Sequence, residues 1–170
     1  MKKELKNNIT GEDTPFKTVL DYGVEKDEIY FNFCCENSQL FSAGDMDNAP
    51  LYRGDVCEVF ISVNGDRNEY FEIEVAPNGA CFYALIKNRN GMLDVSFLEK
   101  NFTTFVTVTD KGYDVEIIIP FRALGVTDCP IYFNAFRIET EGGIENANLL
   151  ALNPTKVGNF HCPEFFIRLK

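Results

Sequence analysis

The feature that most constrains this chain is a two-residue hydrophobic alternation that restarts at short intervals along most of its length. Residues 28–35 put Ile29, Phe31, Phe33 and Cys35 on one side. Residues 55–63 put Cys57, Val59, Ile61 and Val63 on one side, with Val56, Glu58, Phe60 and Ser62 opposite. Residues 69–76 alternate Phe71, Ile73 and Val75 against Tyr70, Glu72 and Glu74. Successive side chains of a strand point to opposite faces, so this period specifies strands. The same reading places further strands at 80–87, 103–109, 113–119, 131–139 and 165–169. Turn residues that tolerate or require positive φ separate them, at Asn64-Gly65-Asp66, Pro77-Asn78-Gly79 and Asp110-Lys111-Gly112. Only Phe121-Arg122-Ala123-Leu124, after Pro120, reads as a helical turn. The expectation is an all-β fold, an antiparallel β-sandwich of jelly-roll type. Cys57, Val59, Ile61, Phe71, Ile73 and Val75 should fill its interior. The central strands are apolar on both faces, so their second face should be partly covered.

A chain of 170 residues can build a sizeable core without staples. No repeat, linker or low-complexity tract divides it, which predicts one domain over 1–170 with residues 1–12 as a loosely held tail. The 16 Phe and 7 Tyr, with no Trp, belong to a strand-forming alphabet. A net charge of −10 repels phosphate backbones and anionic lipid, which argues against nucleic-acid and membrane partners. The first eight residues carry lysines but no apolar run, so they do not read as a signal peptide. The chain as given fits the cytoplasm, or the exterior if a leader was removed. Six cysteines (34, 35, 57, 81, 129 and 162) include no Cys-x-x-Cys pair and read as mostly free thiols.

Enzyme motifs are missing. There is no Gly-x-Ser-x-Gly elbow, phosphate loop or His-Glu-x-x-His, and His161 is the sole histidine. Glu58, Glu72 and Glu74 fall on one side of their strands if those strands pair as a hairpin. Three readings stay open for them: a solvated row, acceptors for sugar hydroxyls, or the paired carboxylates of a glycosidase. The acidic loops at 44–48 and 64–69 could offer oxygens to calcium, although neither has EF-hand spacing and turn chemistry also accounts for them.

Three blocks then resemble a known family. Residues 50–61, from Pro50-Leu51-Tyr52 through Asp55 and Glu58 to Ile61, look like the "PLW-x-x-D-x-VE-V-F-I" segment of carbohydrate-binding module family 9. Residues 70–79, Tyr70 to Gly79, are similar to its "Y-x-E-x-x-x-x-P-x-G" strand and turn. Residues 151–155 and 159–166 resemble its "AL-x-PT … FH-x-PE-x-F-G" ending. The resemblance implies an antiparallel sandwich that binds sugars without catalysis, is commonly appended to glycoside hydrolases and sometimes carries structural calcium. Tyr52 stands where the first block often has tryptophan. On this basis the expected partner is a small saccharide, with no cofactor and no catalytic residue. Tyr52 would stack on the sugar, Glu58 and Glu72 would accept its hydroxyls, Arg137 would donate and Asn153 would close the site. Arg137 paired with Glu58 or Glu72 in a plain cross-strand salt bridge is the competing expectation. The rival functions are a sandwich that lost sugar binding and serves as an interaction domain, and a glycoside hydrolase using the glutamates.

Overall fold

The computed structural model describes residues 1–37, 39–125, 130–143, 145 and 147–169. Among these, the strands are β1 (Lys2–Glu4), β2 (Lys6–Asn7), β3 (Thr18–Glu25), β4 (Glu28–Glu36), β5 (Val56–Ser62), β6 (Glu69–Val75) and β7 (Cys81–Arg89). They continue as β8 (Met92–Phe97), β9 (Thr103–Thr109), β10 (Gly112–Pro120), β11 (Tyr132–Glu139), β12 (Asn148–Ala151) and β13 (Ile167–Arg168). One sheet runs β1-β3-β4-β10-β9 and the other β2-β12-β11-β5-β6-β7-β8, with β13 also on β11. Every pairing is antiparallel. The structure is the expected all-β antiparallel sandwich.

The interior lies between the sheets. Leu20, Ile29, Phe31, Val115 and Ile117 from the smaller sheet meet Val59, Ile61, Ile73, Val75 and Phe133 from the larger. The Sγ atoms of Cys35 and Cys57 approach to 3.5 Å across this layer. Phe71 sits on the interior row but stays half-buried, its ring stacked 6.2 Å from Tyr83. A second apolar cluster coats the outer face of the larger sheet, built from Leu51, Val56, Phe60, Tyr70, Phe136, Phe160 and Phe166. All of β5 is therefore buried, on both faces. The turn before β10 requires glycine, because Gly112 has φ 150° and a Cβ there would lie 2.0 Å from the Cys35 carbonyl oxygen.

The N-terminal residues depart from expectation. β1 pairs with β3, and β2 pairs with β12. Leu5 is wholly buried between them, and the Asn8 side chain bonds Thr155 across the chain. Strands of two or three residues rich in Lys and Glu carry no readable period, and charged short segments suit a sheet edge. Strands β3, β8 and β12 also went unread, while the helical turn at Phe121–Leu124 forms as a 3-10 turn.

Two substitutions test this packing. Leu5→Ala and Ile61→Ala should each cost about 2–5 kcal/mol of unfolding free energy. Phe105→Ala, on an exposed edge-strand position, should cost under about 0.5 kcal/mol. Denaturant melts would show the difference, and an unchanged Leu5→Ala midpoint would contradict a docked N-terminus.

Candidate functional site

The site begins with strand register. Glu58 on β5 lies directly opposite Glu74 on β6, and Glu72 stands two residues along on the same face. One carboxylate oxygen from each of the three lies within 4.8 Å of the others, and all three side chains are buried. They form the floor of a cavity of about 250 Å³ on the outer face of the larger sheet, lined also by Tyr52, Ile138, Leu149, Gly158, Asn159, Phe160 and His161.

Tyr52 reaches this cavity because its loop is anchored beneath it. A 3-10 turn over Leu51–Arg53 buries Leu51 and leaves Tyr52 52% exposed at the rim. Gly54 closes the turn where a Cβ would lie 2.6 Å from Phe41 O and Ala43 N. Asp55 then ties the loop to three segments. Its Oδ2 accepts Asn37 Nδ2 (3.0 Å) and the Phe41 amide (2.8 Å), and its Oδ1 accepts the Thr140 amide (2.8 Å) and hydroxyl (2.9 Å). Arg53 lies over the Tyr52 ring, 5.8 Å from its centre.

The far wall comes from residues 158–161. Phe160 stacks on Phe136 at 4.2 Å, and His161 on Phe60 at 5.1 Å. His161 Nδ1 shares a 2.8 Å hydrogen bond with the Tyr70 hydroxyl. Burial lowers the His161 pKa to about 4, so the ring is neutral at physiological pH. Asn8 fixes this wall from the other end of the chain, since its Oδ1 accepts the Thr155 amide (2.9 Å) and its Nδ2 donates to Val157 O (2.8 Å). The Thr155 hydroxyl in turn donates to Asn159 O at 2.8 Å.

Electrostatically the floor is strained. Burial pushes Glu58 well above the usual carboxylate range, and the charge of Glu72 pushes it further. Burial likewise raises Glu74 far up, with Glu58 and Glu72 adding to it. Burial raises Glu72 to about 7. Glu74 Oε2 has no hydrogen-bond partner.

Of the residues expected to form a site, Tyr52, Glu58 and Glu72 come together here. Arg137 does not. In β11, Phe136 is the residue opposite Glu58, and Arg137 lies opposite Cys57 on the interior face. Its guanidinium is fully buried, donates to Thr18 Oγ1 (2.7 Å) and Glu36 O (3.0 Å), and pairs with Glu139. Arg137 and Glu139 share a face, but it is the core's face, and the sheet separates them from Glu58 and Glu72. Their salt bridge is with each other, so the expected pairing of Arg137 with Glu58 or Glu72 is also absent. Asn153 also stands away from the cavity. Its Nδ2 donates to Phe165 O (2.8 Å) and its amide to Asn134 Oδ1 (3.0 Å), which fastens the base of the wall segment.

The sequence pattern groups Glu74 with Glu58 and Glu72 but leaves it outside the expected binding set, and Asn159, Phe160 and His161 stand outside that set as well. The alternation at 69–76 carried the first signal. Nothing local carried the second, because the wall is folded back over a sheet distant in sequence. The acidic loops spend oxygens on turn and edge bonds: Asp47 Oδ1 accepts the Cys81 amide (2.8 Å) and Asp66 Oδ1 the Asn68 amide (3.0 Å). A wider concavity of about 410 Å³ lies on the smaller sheet, lined by Asp21, Asn32, Asp114 and Glu116, and its sole aromatic rim residue besides Phe33 is Phe105 on edge strand β9. The cavity at Tyr52 joins an exposed ring to three buried carboxylates.

The two-sheet antiparallel sandwich is similar to solved structures of carbohydrate-binding modules. The fold is that of family 9. One similar structure is a family 9 module from Caldicellulosiruptor kristjanssonii in complex with glucose, 17% identical, covering 99% of this chain and 83% of that one at a TM-score of 0.71. A cellotriose complex of a family 9 module from the same organism matches at 16% identity, 100% and 81% coverage, and a TM-score of 0.72. A candidate carbohydrate-binding protein from Bacteroides uniformis matches at 14% identity, 98% and 84% coverage, and a TM-score of 0.78. No protein-family model matches the chain, and no curated protein does. Among the described residues, no helix is long and apolar enough to cross a membrane.

The raised carboxylates predict a particular pH dependence. Glu72 keeps its proton to about pH 7 when folded, against an ordinary value of 4.5. Its contribution to stability is therefore complete below the unfolded value and is lost as pH rises through 7. Glu72→Gln should leave the melting temperature unchanged near pH 4 and raise unfolding free energy by about 3 kcal/mol at pH 8. Neutral His161 acts in the opposite sense between its ordinary value of 6.5 and about 4, so variant and wild type are compared at each pH. A benefit that shrank with rising pH would contradict the buried floor.

Proposed function

We propose that this chain is a non-catalytic saccharide-binding domain and that the cavity at Tyr52 is its binding site. The observation that carries the reading is the pairing of an exposed aromatic ring at the rim with buried carboxylates on the floor. A sugar ring presents an apolar face and a girdle of hydroxyls, and this site meets both. Tyr52 supplies the stacking surface, while Glu58 and Glu72 accept hydroxyl protons. The cavity volume of about 250 Å³ is small beside ordinary ligand pockets of about 300–1,000 Å³, which favours a single ring or a chain end. The family 9 structures of like fold that hold glucose and cellotriose support this choice of ligand class.

The geometry favours binding over hydrolysis. A glycosidase sets its acid and its nucleophile or base on either side of the scissile bond. Here Glu58, Glu72 and Glu74 sit side by side on adjacent strands of one floor. An interaction scaffold that had lost its ligand would close the outer face over Tyr52, and the open cavity argues against that.

Isothermal calorimetry with glucose and cellotriose tests the proposal. Tyr52→Ala should weaken binding by roughly 1–2 kcal/mol through lost stacking, with an unchanged melting temperature. Glu58→Gln should weaken it by about 1–3 kcal/mol if the carboxylate accepts a hydroxyl. Failure of the wild type to bind any mono- or oligosaccharide at millimolar concentration would remove this reading.

A further inference from the structure

The cavity floor is acidic. Three buried carboxylates line it, and none of its described lining residues is Lys or Arg. Arg137, the cation nearest to them in the β11 sequence, is spent on Glu139 across the sheet. His161 is neutral and already bonded to Tyr70. Arg53 stands outside, over the Tyr52 ring. Glu74 Oε2 is buried, lines the cavity and has no hydrogen-bond partner, although the great majority of buried polar atoms have one.

We propose that the cavity takes a saccharide bearing a protonated amine, with the ammonium held among Glu58, Glu72 and Glu74 and a ring face on Tyr52. This rests on the saccharide-binding reading above and names the ligand class within it. The three carboxylates stand close enough to converge on one ammonium, whose N–H groups would donate to them at about 2.9 Å. The three glutamate oxygens lie within 4.8 Å of one another. A bound ammonium gives Glu74 Oε2 its missing donor and neutralises part of the floor.

A metal ion fits less well. Calcium takes six to eight oxygens, whereas beyond the glutamates this wall is Tyr52, Ile138, Leu149, Phe160 and the neutral His161, with Asn159 the remaining amide. Aromatic and aliphatic walls suit the carbon skeleton of an organic cation, and a ring face attracts a neighbouring cation as well.

Calorimetry on the full chain with glucosamine, glucose and N-acetylglucosamine at pH 6.5 decides the matter, with a parallel titration of calcium chloride. Glucosamine should bind at least tenfold more tightly than either neutral sugar. Its heat should depend on the buffer, because the amine displaces protons from the glutamates. Glu74→Gln should cut the ratio of glucosamine to glucose affinity to threefold or less. A melting curve confirms that variant's fold, and Glu58→Gln is the second variant if it fails, read by the same glucosamine-to-glucose ratio because it should weaken glucose as well. Equal affinity for glucosamine and glucose overturns the amine inference and leaves saccharide binding standing. No binding of any of the three sugars at millimolar concentration overturns both. Micromolar calcium binding without amine preference makes the floor a metal site and also overturns the inference.

Discussion

The register of β5 between β6 and β11 is the constraint on which the rest of this molecule depends. It sets Cys57, Val59 and Ile61 against the opposite sheet and leaves Val56, Glu58 and Phe60 on the outer face. It also sets Glu58 beside Glu74 and turns Arg137 inward. A slip of one residue would exchange the two faces of the strand, placing Glu58 in the core and taking Cys57, Val59 and Ile61 out of it. Because both faces of β5 are buried, such a slip would cost apolar burial on each side at once.

The outer face becomes a site because the chain covers it incompletely. Leu51, Phe160 and Phe166 extend the apolar coat over the larger sheet, and the cavity is left between the Tyr52 turn and the segment at 158–161. Both covering pieces are loops, and neither is held by a sheet ladder. Buried side-chain hydrogen bonds hold them instead: Asp55 for the first, and Asn8 with Thr155 for the second. Polar groups withdrawn from water are expensive unless paired, so such fully paired tethers give one loop geometry a clear advantage over others. The N-terminal residues thus act on the site from the far end of the sequence.

The two buried charge systems of the fold differ in whether a cation is present, although Arg137 Nε is left without a partner and burial raises Glu139 beside it to about 7. Arg137 finds a carboxylate, a hydroxyl and a carbonyl, which compensates the desolvation of an ion that otherwise costs several kcal/mol. The three floor glutamates have no cation beside them among the described residues, and burial raises their proton affinities. A fold selected for stability alone would fill that floor with apolar side chains. Carboxylates on that floor are the feature on which the proposed binding of a polar ligand rests.

The alternation of Val, Ile and Phe against polar residues determined, to within a residue at each end, the strands read at 28–35, 55–63, 69–76 and 131–139, the sandwich class and the shared face of Glu58, Glu72 and Glu74. These follow from a period-2 pattern that is local and survives without knowledge of partners. The resemblance of the block at 50–61 pointed to Tyr52. Tertiary structure alone decided the phase of β11, and with it the removal of Arg137 to the core. It alone also decided the docking of Lys2–Asn8, the structural role of Asn153, and the wall made by Phe160 and His161. The physical reason is common to all four: each depends on which distant strand or loop a segment meets, and a pairing partner more than a hundred residues away, such as Asn8 with Thr155, leaves no trace in the local sequence.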